Sequence, residues 1–192
     1  MKQITEIRWH GRGGQGAKTA ALLLGDAAMS LGKYIQAFPE YGPERMGAPV
    51  ASFNRISADP ITIHYGITEP NIVLVLDPTL IGTIDVTKGL PSEGVIIVNT
   101  PSSAKEVREM IKFKGGKVFA VDASKISKET IGKDIPNTPM LGALIKATGL
   151  LDFNHMIDDL KKKLAKKFVS KPEVIEGNLN AVKRAYDEVK GE

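Results

Sequence analysis

A chain of 192 residues is long enough for one domain that buries roughly 70% of its unfolded surface, so it folds without a covalent staple. Cysteine is absent, which excludes disulfides, a thiolate nucleophile and any thiolate-held iron–sulfur cluster on this chain. Net charge is only +4, and there is neither an apolar leader nor an unbroken run of about 18 apolar residues. The expectation is a cytoplasmic protein with no membrane segment and no nucleic-acid role.

In chain order, residues 3–9 read as a strand that runs into RWHGRGGQGAKT, and residues 16–31 read as a helix. Its stripe Ala17, Ala20, Ala21, Leu24, Ala28 and Leu31, widened by Leu22 and Leu23, makes that helix buried on several sides. Gly11, Gly13 and Gly16 satisfy GxGxxG, whose missing side chains permit a tight turn and close backbone approach. The free N–H groups of the helix start favour an anion there, by a fraction of a kcal/mol to about 1 kcal/mol per charge.

Spacing argues against two familiar nucleotide readings. Ala17 separates Gly16 from Lys18, so a P-loop lysine is out of register. The second strand, residues 34–38, gives way to Pro39-Glu40 in a turn-rich loop, so no acidic residue closes it as NAD binding requires. A glycine turn that only packs helix on strand remains the plain alternative.

Phe38 to Pro49 forms a loop fixed by three prolines and two glycines, from which Glu40, Tyr41, Glu44 and Arg45 reach outward as a recognition surface or a locally paired one. Residues 49–56 and 61–67 read as a hairpin of two strands about Ser57-Ala58-Asp59-Pro60. Near-continuous apolar strands follow at 72–76, 95–98 and 118–121, with a helix at 102–113. From Asn137 onward three helical stripes recur, and the last (Ile175, Leu179, Val182, Tyr186, Val189) covers the domain itself or a partner. Lys161, Lys162, Lys163, Lys166 and Lys167 fall opposite an apolar stripe and read as a solvated face. The pattern predicts a single α/β domain over 1–192: a three-layer α/β/α sandwich with a mixed, mostly parallel sheet, a Rossmann-like first βαβ unit and a helical carboxyl-terminal segment.

No residue earns a catalytic or metal-binding role. His10 adjoins the glycine turn and can contact a ligand, while His64 and His155 read as structural. Asp77 ends a strand at the edge where ligands of open sheets collect, but before Pro78 it reads first as a cap. Abundant Lys and Glu without Cys suit a thermophilic source.

GRGGQGAKTAA, PEYGPERMGAPV and NTPMLGALIKATG, taken in this order, resemble the gamma subunits of the 2-oxoacid:ferredoxin oxidoreductases across nearly the whole chain. The family's turn falls on Gly11, Arg12, Gly13, Gly14, Gln15 and Gly16, and its YGPE-R-x-G loop on Tyr41 to Gly47. Met46 departs from relatives that carry a basic or glycine residue there, which leaves Arg45 as the loop's cation. The resemblance implies a heterotetramer with alpha, beta and ferredoxin-like delta subunits. Such an enzyme decarboxylates pyruvate or another 2-oxoacid with coenzyme A and passes electrons to external ferredoxin.

Thiamine diphosphate with its Mg2+ and the [4Fe–4S] clusters would sit on other subunits, so this chain alone binds no cofactor. Coenzyme A would meet the turn, with Arg12 as a mobile cation, and Glu40, Tyr41, Glu44 and Arg45 would line an interface or pocket. A stand-alone Rossmann-type protein or NAD(P)-dependent dehydrogenase is the alternative.

Overall fold

The computed structural model describes residues 4–40 and 46–192. In chain order it forms β1 (Ile4–Arg12), α1 (Ala17–Ser30), β2 (Tyr34–Pro39), β3 (Pro49–Ser57), β4 (Ile72–Val75) and β5 (Val95–Asn99). Then come α2 (Ala104–Ile111), β6 (Lys117–Val121), α3 (Ala123–Ile131), α4 (Asn137–Thr148), α5 (Phe153–Lys167), α6 (Pro172–Glu188) and β7 (Lys190–Gly191). One sheet runs β2-β3-β1-β4-β5-β6-β7. Strands β1, β4, β5 and β6 pair in parallel, while β3 and β7 are antiparallel to their neighbours. The α/β/α sandwich with a mostly parallel sheet is therefore as expected.

Strand alternation divides the core in two. Ile7, Trp9, Ile72, Leu74 and Ile97 meet the helical layer of α1 and α3 to α6. Val73, Val75, Ile96, Val98 and Val118 meet Leu80, Val86 and α2 on the other face. The polar tip of Trp9 is satisfied inside the first core, its indole Nε1–H donating to Asn54 Oδ1 at 2.8 Å while Asn54 Nδ2 donates to the Ala21 carbonyl.

Three expectations are corrected. Residues 61–67 are not a strand, because both edges of β3 are already occupied by β1 and β2. Side chains of the neighbouring strands take that segment's carbonyls instead, Gln36 donating to Ile63 O and Arg55 to Tyr65 O. The hairpin partner of β3 is β2. The β1–α1–β2 crossover keeps its parallel sense, but β3 is inserted between its two strands.

Helix α3 escaped the periodicity reading because ASKISKETI holds only two large apolar residues, Ile126 and Ile131. Two-residue β7 is also new. On α5 the lysines are solvated as expected, except that half-buried Lys163 pairs with Asp26 of α1. Helix α6 covers its own domain, packing on α3 and α4. Its Val182 carbonyl lies so close to Gly142 of α4 that any β carbon there would overlap it.

Candidate functional site

Strand β1 runs three residues further than the periodicity predicts. Gly11 and Arg12 are strand residues, opposite Val50 and Pro49 of β3, and the turn proper is Gly13 to Gly16. Gly11 is buried, and a β carbon there would touch the Gln15 side chain, Ala17 and Leu76. Gln15 N–H closes the turn onto the Arg12 carbonyl at 3.0 Å, and the Gln15 side chain returns to accept from Arg12 N–H at 2.8 Å. Gly16 then adopts a left-handed conformation, φ 82° and ψ 26°, and opens α1 with no side-chain cap. The first helical bond runs from Ala20 N–H to Gly16 O, so the N–H groups of Ala17, Lys18 and Thr19 have no partner within the helix.

Asp77, at the end of β4, is the hub that holds this turn. Its Oδ2 accepts from Gln15 Nε2 at 2.7 Å and meets Arg12 Nε at 3.2 Å. Its Oδ1 caps the following 3-10 turn by accepting from Thr79 N–H at 2.9 Å and Thr79 Oγ1–H at 2.6 Å. Burial alone would push this carboxyl up, but the Thr79 hydroxyl, the Gln15 amide, the Thr79 backbone and the Arg12 charge outweigh it and hold it below the usual carboxylate value. The cap reading of Asp77 is thus right and incomplete.

Arg12 is correspondingly not a mobile cation. Nε and Nη2 donate to Thr79 Oγ1, and Nη1 donates to the Gly47 carbonyl at 3.1 Å. A guanidinium carries five N–H groups, so one hydrogen on each terminal nitrogen stays uncommitted among the described residues. The fork is set in advance with two donors to spare, which suits a phosphate or carboxylate better than a swinging side chain would.

The two motifs far apart in sequence meet here. Gly13 N–H donates to Ala48 O at 2.9 Å and Gly47 N–H to Gly13 O at 3.1 Å, so the end of the proline-rich loop is laced to the glycine turn. Met46, 90% exposed, lies beside Gly14. Tyr41, Glu44 and Arg45 lie outside the described residues. Glu40 is exposed and follows β2 directly, closer to a strand end than expected. With β3 between β2 and β1, however, it does not stand where a dinucleotide's ribose partner stands, next to the turn-bearing strand.

Asn137, the first residue of α4, abuts the turn from the other side. A β carbon on Gly16 would lie 2.5 Å from Asn137 Nδ2. Neither this contact nor Thr79 was legible from spacing, since both come from distant segments.

His10 points to the face opposite α1, beside Arg8. Burial chiefly, and then the Arg8 charge, pushes its pKa down to about 4 against a raising influence from Asp85, so it is neutral at ordinary pH. His10 Nε2 and Arg8 Nε are buried without a hydrogen-bond partner among the described residues, while Arg8 Nη2 donates to the carbonyls of Val86 and Lys88. His155 Nε2 meets Ser30 Oγ at 2.8 Å and clips α5 to the end of α1. Among the described residues no group of three or more acidic or histidine side chains is arranged to hold a metal, and no helix is long and apolar enough to cross a membrane.

Residues 6–188 match the family model described as pyruvate ferredoxin/flavodoxin oxidoreductase. The chain is 45% identical over 189 residues to pyruvate synthase subunit PorC of Thermotoga maritima, covering 98% of this chain and 96% of that one. The solved structure of pyruvate oxidoreductase subunit PORC from the same organism superposes with a TM-score of 0.86 at 43% identity, over 100% of this chain and 99% of that one. The common subunit gamma of the pyruvate/ketoisovalerate oxidoreductases of Thermococcus kodakarensis is 52% identical over 159 residues, 83% of this chain and 86% of its own. At 20% identity and a TM-score of 0.76, the fold also recurs in 2-oxoglutarate:ferredoxin oxidoreductase from Magnetococcus marinus, solved with 2-oxoglutarate, coenzyme A and succinyl-CoA. That match takes in 97% of this chain and 31% of the longer one. A family match over residues 6–188, with relatives 45% and 52% identical, places this chain in the pyruvate ferredoxin/flavodoxin oxidoreductase family.

Proposed function

We propose that this chain is the gamma subunit of a multi-subunit pyruvate:ferredoxin oxidoreductase and that its glycine turn holds a phosphate group of coenzyme A. The enzyme converts pyruvate, coenzyme A and oxidised ferredoxin to acetyl-CoA, carbon dioxide and reduced ferredoxin. Thiamine diphosphate, Mg2+ and the [4Fe–4S] clusters belong to the alpha, beta and ferredoxin-like delta subunits, in keeping with a chain that has no cysteine. The assembly is cytoplasmic, and the gamma chain alone is inactive. A gamma subunit named as common to pyruvate and ketoisovalerate enzymes in Thermococcus kodakarensis supports a role removed from 2-oxoacid selection.

The carrying observation is the pre-set Arg12 fork at one end of the turn and, at the other, three N–H groups of α1 with no partner within the helix. Together they favour an anion and do no bond chemistry. Glu40, together with Tyr41, Glu44 and Arg45 outside the described residues, is assigned as the contact to partner subunits or the pocket between them.

The test is steady-state kinetics on the assembled enzyme. Arg12→Ala should raise KM for coenzyme A about tenfold, equivalent to one charge-assisted bond of roughly 1.5 kcal/mol, and leave KM for pyruvate unchanged. Equal constants for both substrates in variant and wild type would make the turn purely structural.

A further inference from the structure

We propose that the side-chain amide of Asn137 is a ligand donor, closing the anion site at the start of α1 from the side opposite Arg12. The inference rests on the reading of the glycine turn as a phosphate site and adds a residue that neither the turn nor the loop contains. Asn137 opens the segment NTPMLG, the one motif to which no site role has been given so far.

Three observations converge on it. Asn137 is only 7% exposed, and a polar group withdrawn that far from water is normally paired. Its Oδ1 is: it accepts from Thr138 N–H at 2.7 Å and lies 3.2 Å from Thr138 Oγ1. Those contacts fix the orientation of the amide, because Thr138 N–H can only donate and must face the oxygen. The nitrogen is thereby aimed at Gly16, 2.5 Å from where a β carbon would stand. It makes no hydrogen bond to any described residue, and it is not among the atoms sealed from solvent without a partner.

The amide is braced from behind. Thr138 Oγ1 lies 3.0 Å from Asn178 Oδ1 on α6, and Asn178 Nδ2 donates to Val174 O at 2.7 Å. A donor held at the mouth of a helix that has no side-chain cap supplies a further contact to an anion bound at that turn. Neutral N–H donors added to one cation also suit a group that must be released after each turnover, since they orient without adding charge.

The experiment uses the assembled oxidoreductase with Asn137→Asp, Asn137→Ser and Arg12→Ala variants of this chain. It reads KM for coenzyme A and for pyruvate, kcat, the dissociation constant of coenzyme A by calorimetry, and the melting temperature. Asn137→Asp keeps the shape and the acceptor for Thr138 N–H while replacing the donor with an anion. An acidic residue at a helix start favours the fold, so stability should hold while KM and the dissociation constant for coenzyme A rise about tenfold or more. Pyruvate KM should stay as in wild type. Asn137→Ser keeps a hydroxyl acceptor without the amide and should weaken coenzyme A severalfold, so the proposal stays testable if the aspartate variant does not assemble.

Coenzyme A constants that move in Arg12→Ala but stay at wild-type values in both Asn137 variants would overturn the proposal and leave the reading of the turn standing. Wild-type values in all three variants would overturn both.

Discussion

Helices α2 and α3 leave the same sheet edge as α1, yet they begin differently. Ser103 caps α2 by accepting from Glu106 N–H at 3.3 Å, with Glu106 returning to Ser103 N–H at 2.7 Å in a capping box, and Asp122 caps α3 by accepting from Lys125 N–H at 2.9 Å. Asp152 does the same for α5 through His155 N–H. Helix α1, which meets α4 at the glycine turn, has no side-chain cap, and α4 has none from its N-cap residue Pro136, although Asn137 Oδ1 takes the Thr138 N–H. Helix α6 also lacks one, but Pro172 at its start removes a donor that would need pairing. The contrast separates two uses of one physical fact. Every helix start has orphan N–H groups, and a chain closes them itself where they face water. On the proposed reading of the glycine turn, a side-chain cap on α1 would occupy the place of the ligand's acceptor.

The largest test of that contrast is Gly16→Ala. A β carbon in the left-handed region costs about 1–2 kcal/mol, and overpacking against the Asn137 amide adds about 1–3 kcal/mol. Urea unfolding of the full chain should show a loss of about 2–5 kcal/mol on that arithmetic. A loss below about 1 kcal/mol would mean that the turn gives way easily and is not a rigid cradle.

Next comes acid. The folded Asp77 carboxyl titrates below its unfolded value, so the unfolded chain binds the proton first as pH falls. Its contribution to stability is present in full above the unfolded pKa of about 3.9 and is lost as pH drops through the folded value. Asp77→Asn should flatten that acid limb in pH-dependent denaturation, and it should raise coenzyme A KM at neutral pH by releasing Arg12 and Gln15. An unchanged acid limb would remove Asp77 as the hub.

The smallest effect belongs to the capped helices. Ser103→Ala and Asp152→Ala should each cost about 1 kcal/mol of stability and leave the coenzyme A constants untouched. A change in coenzyme A binding on losing either cap would erase the distinction between the two kinds of helix start.

Local features were the legible ones. The glycine spacing, the alanine-rich stripe of α1, the runs IVLV and VIIV and the three carboxyl-terminal stripes each carry their signal within about a dozen residues, which is the reach of periodicity. What escaped was set by pairing across the chain. Insertion of β3 between β1 and β2 depends on which edges compete for it, and the run ITIHYGI alternates well enough to look like a strand with no edge left to join. Asp77 showed its local role as a cap of Thr79, but its hold on Arg12 and Gln15 spans more than sixty residues. Asn137 carried no mark of its own, because nothing in NTPMLG announces that Gly16 is its neighbour.

Gly142 ties this arrangement to the last helix. Its bare backbone lets α4 lie directly on α6, and through Asn178 the same pair of helices fixes Thr138 and hence Asn137. Strand β1 and its turn precede α6 by about 160 residues in the chain. The proposed anion site therefore takes its floor from β1 and its far wall from contacts that need residues 172–188 in place, a closure of long sequence separation. A chain clipped before α6 would present Arg12 and the glycine turn without the brace on the opposing amide.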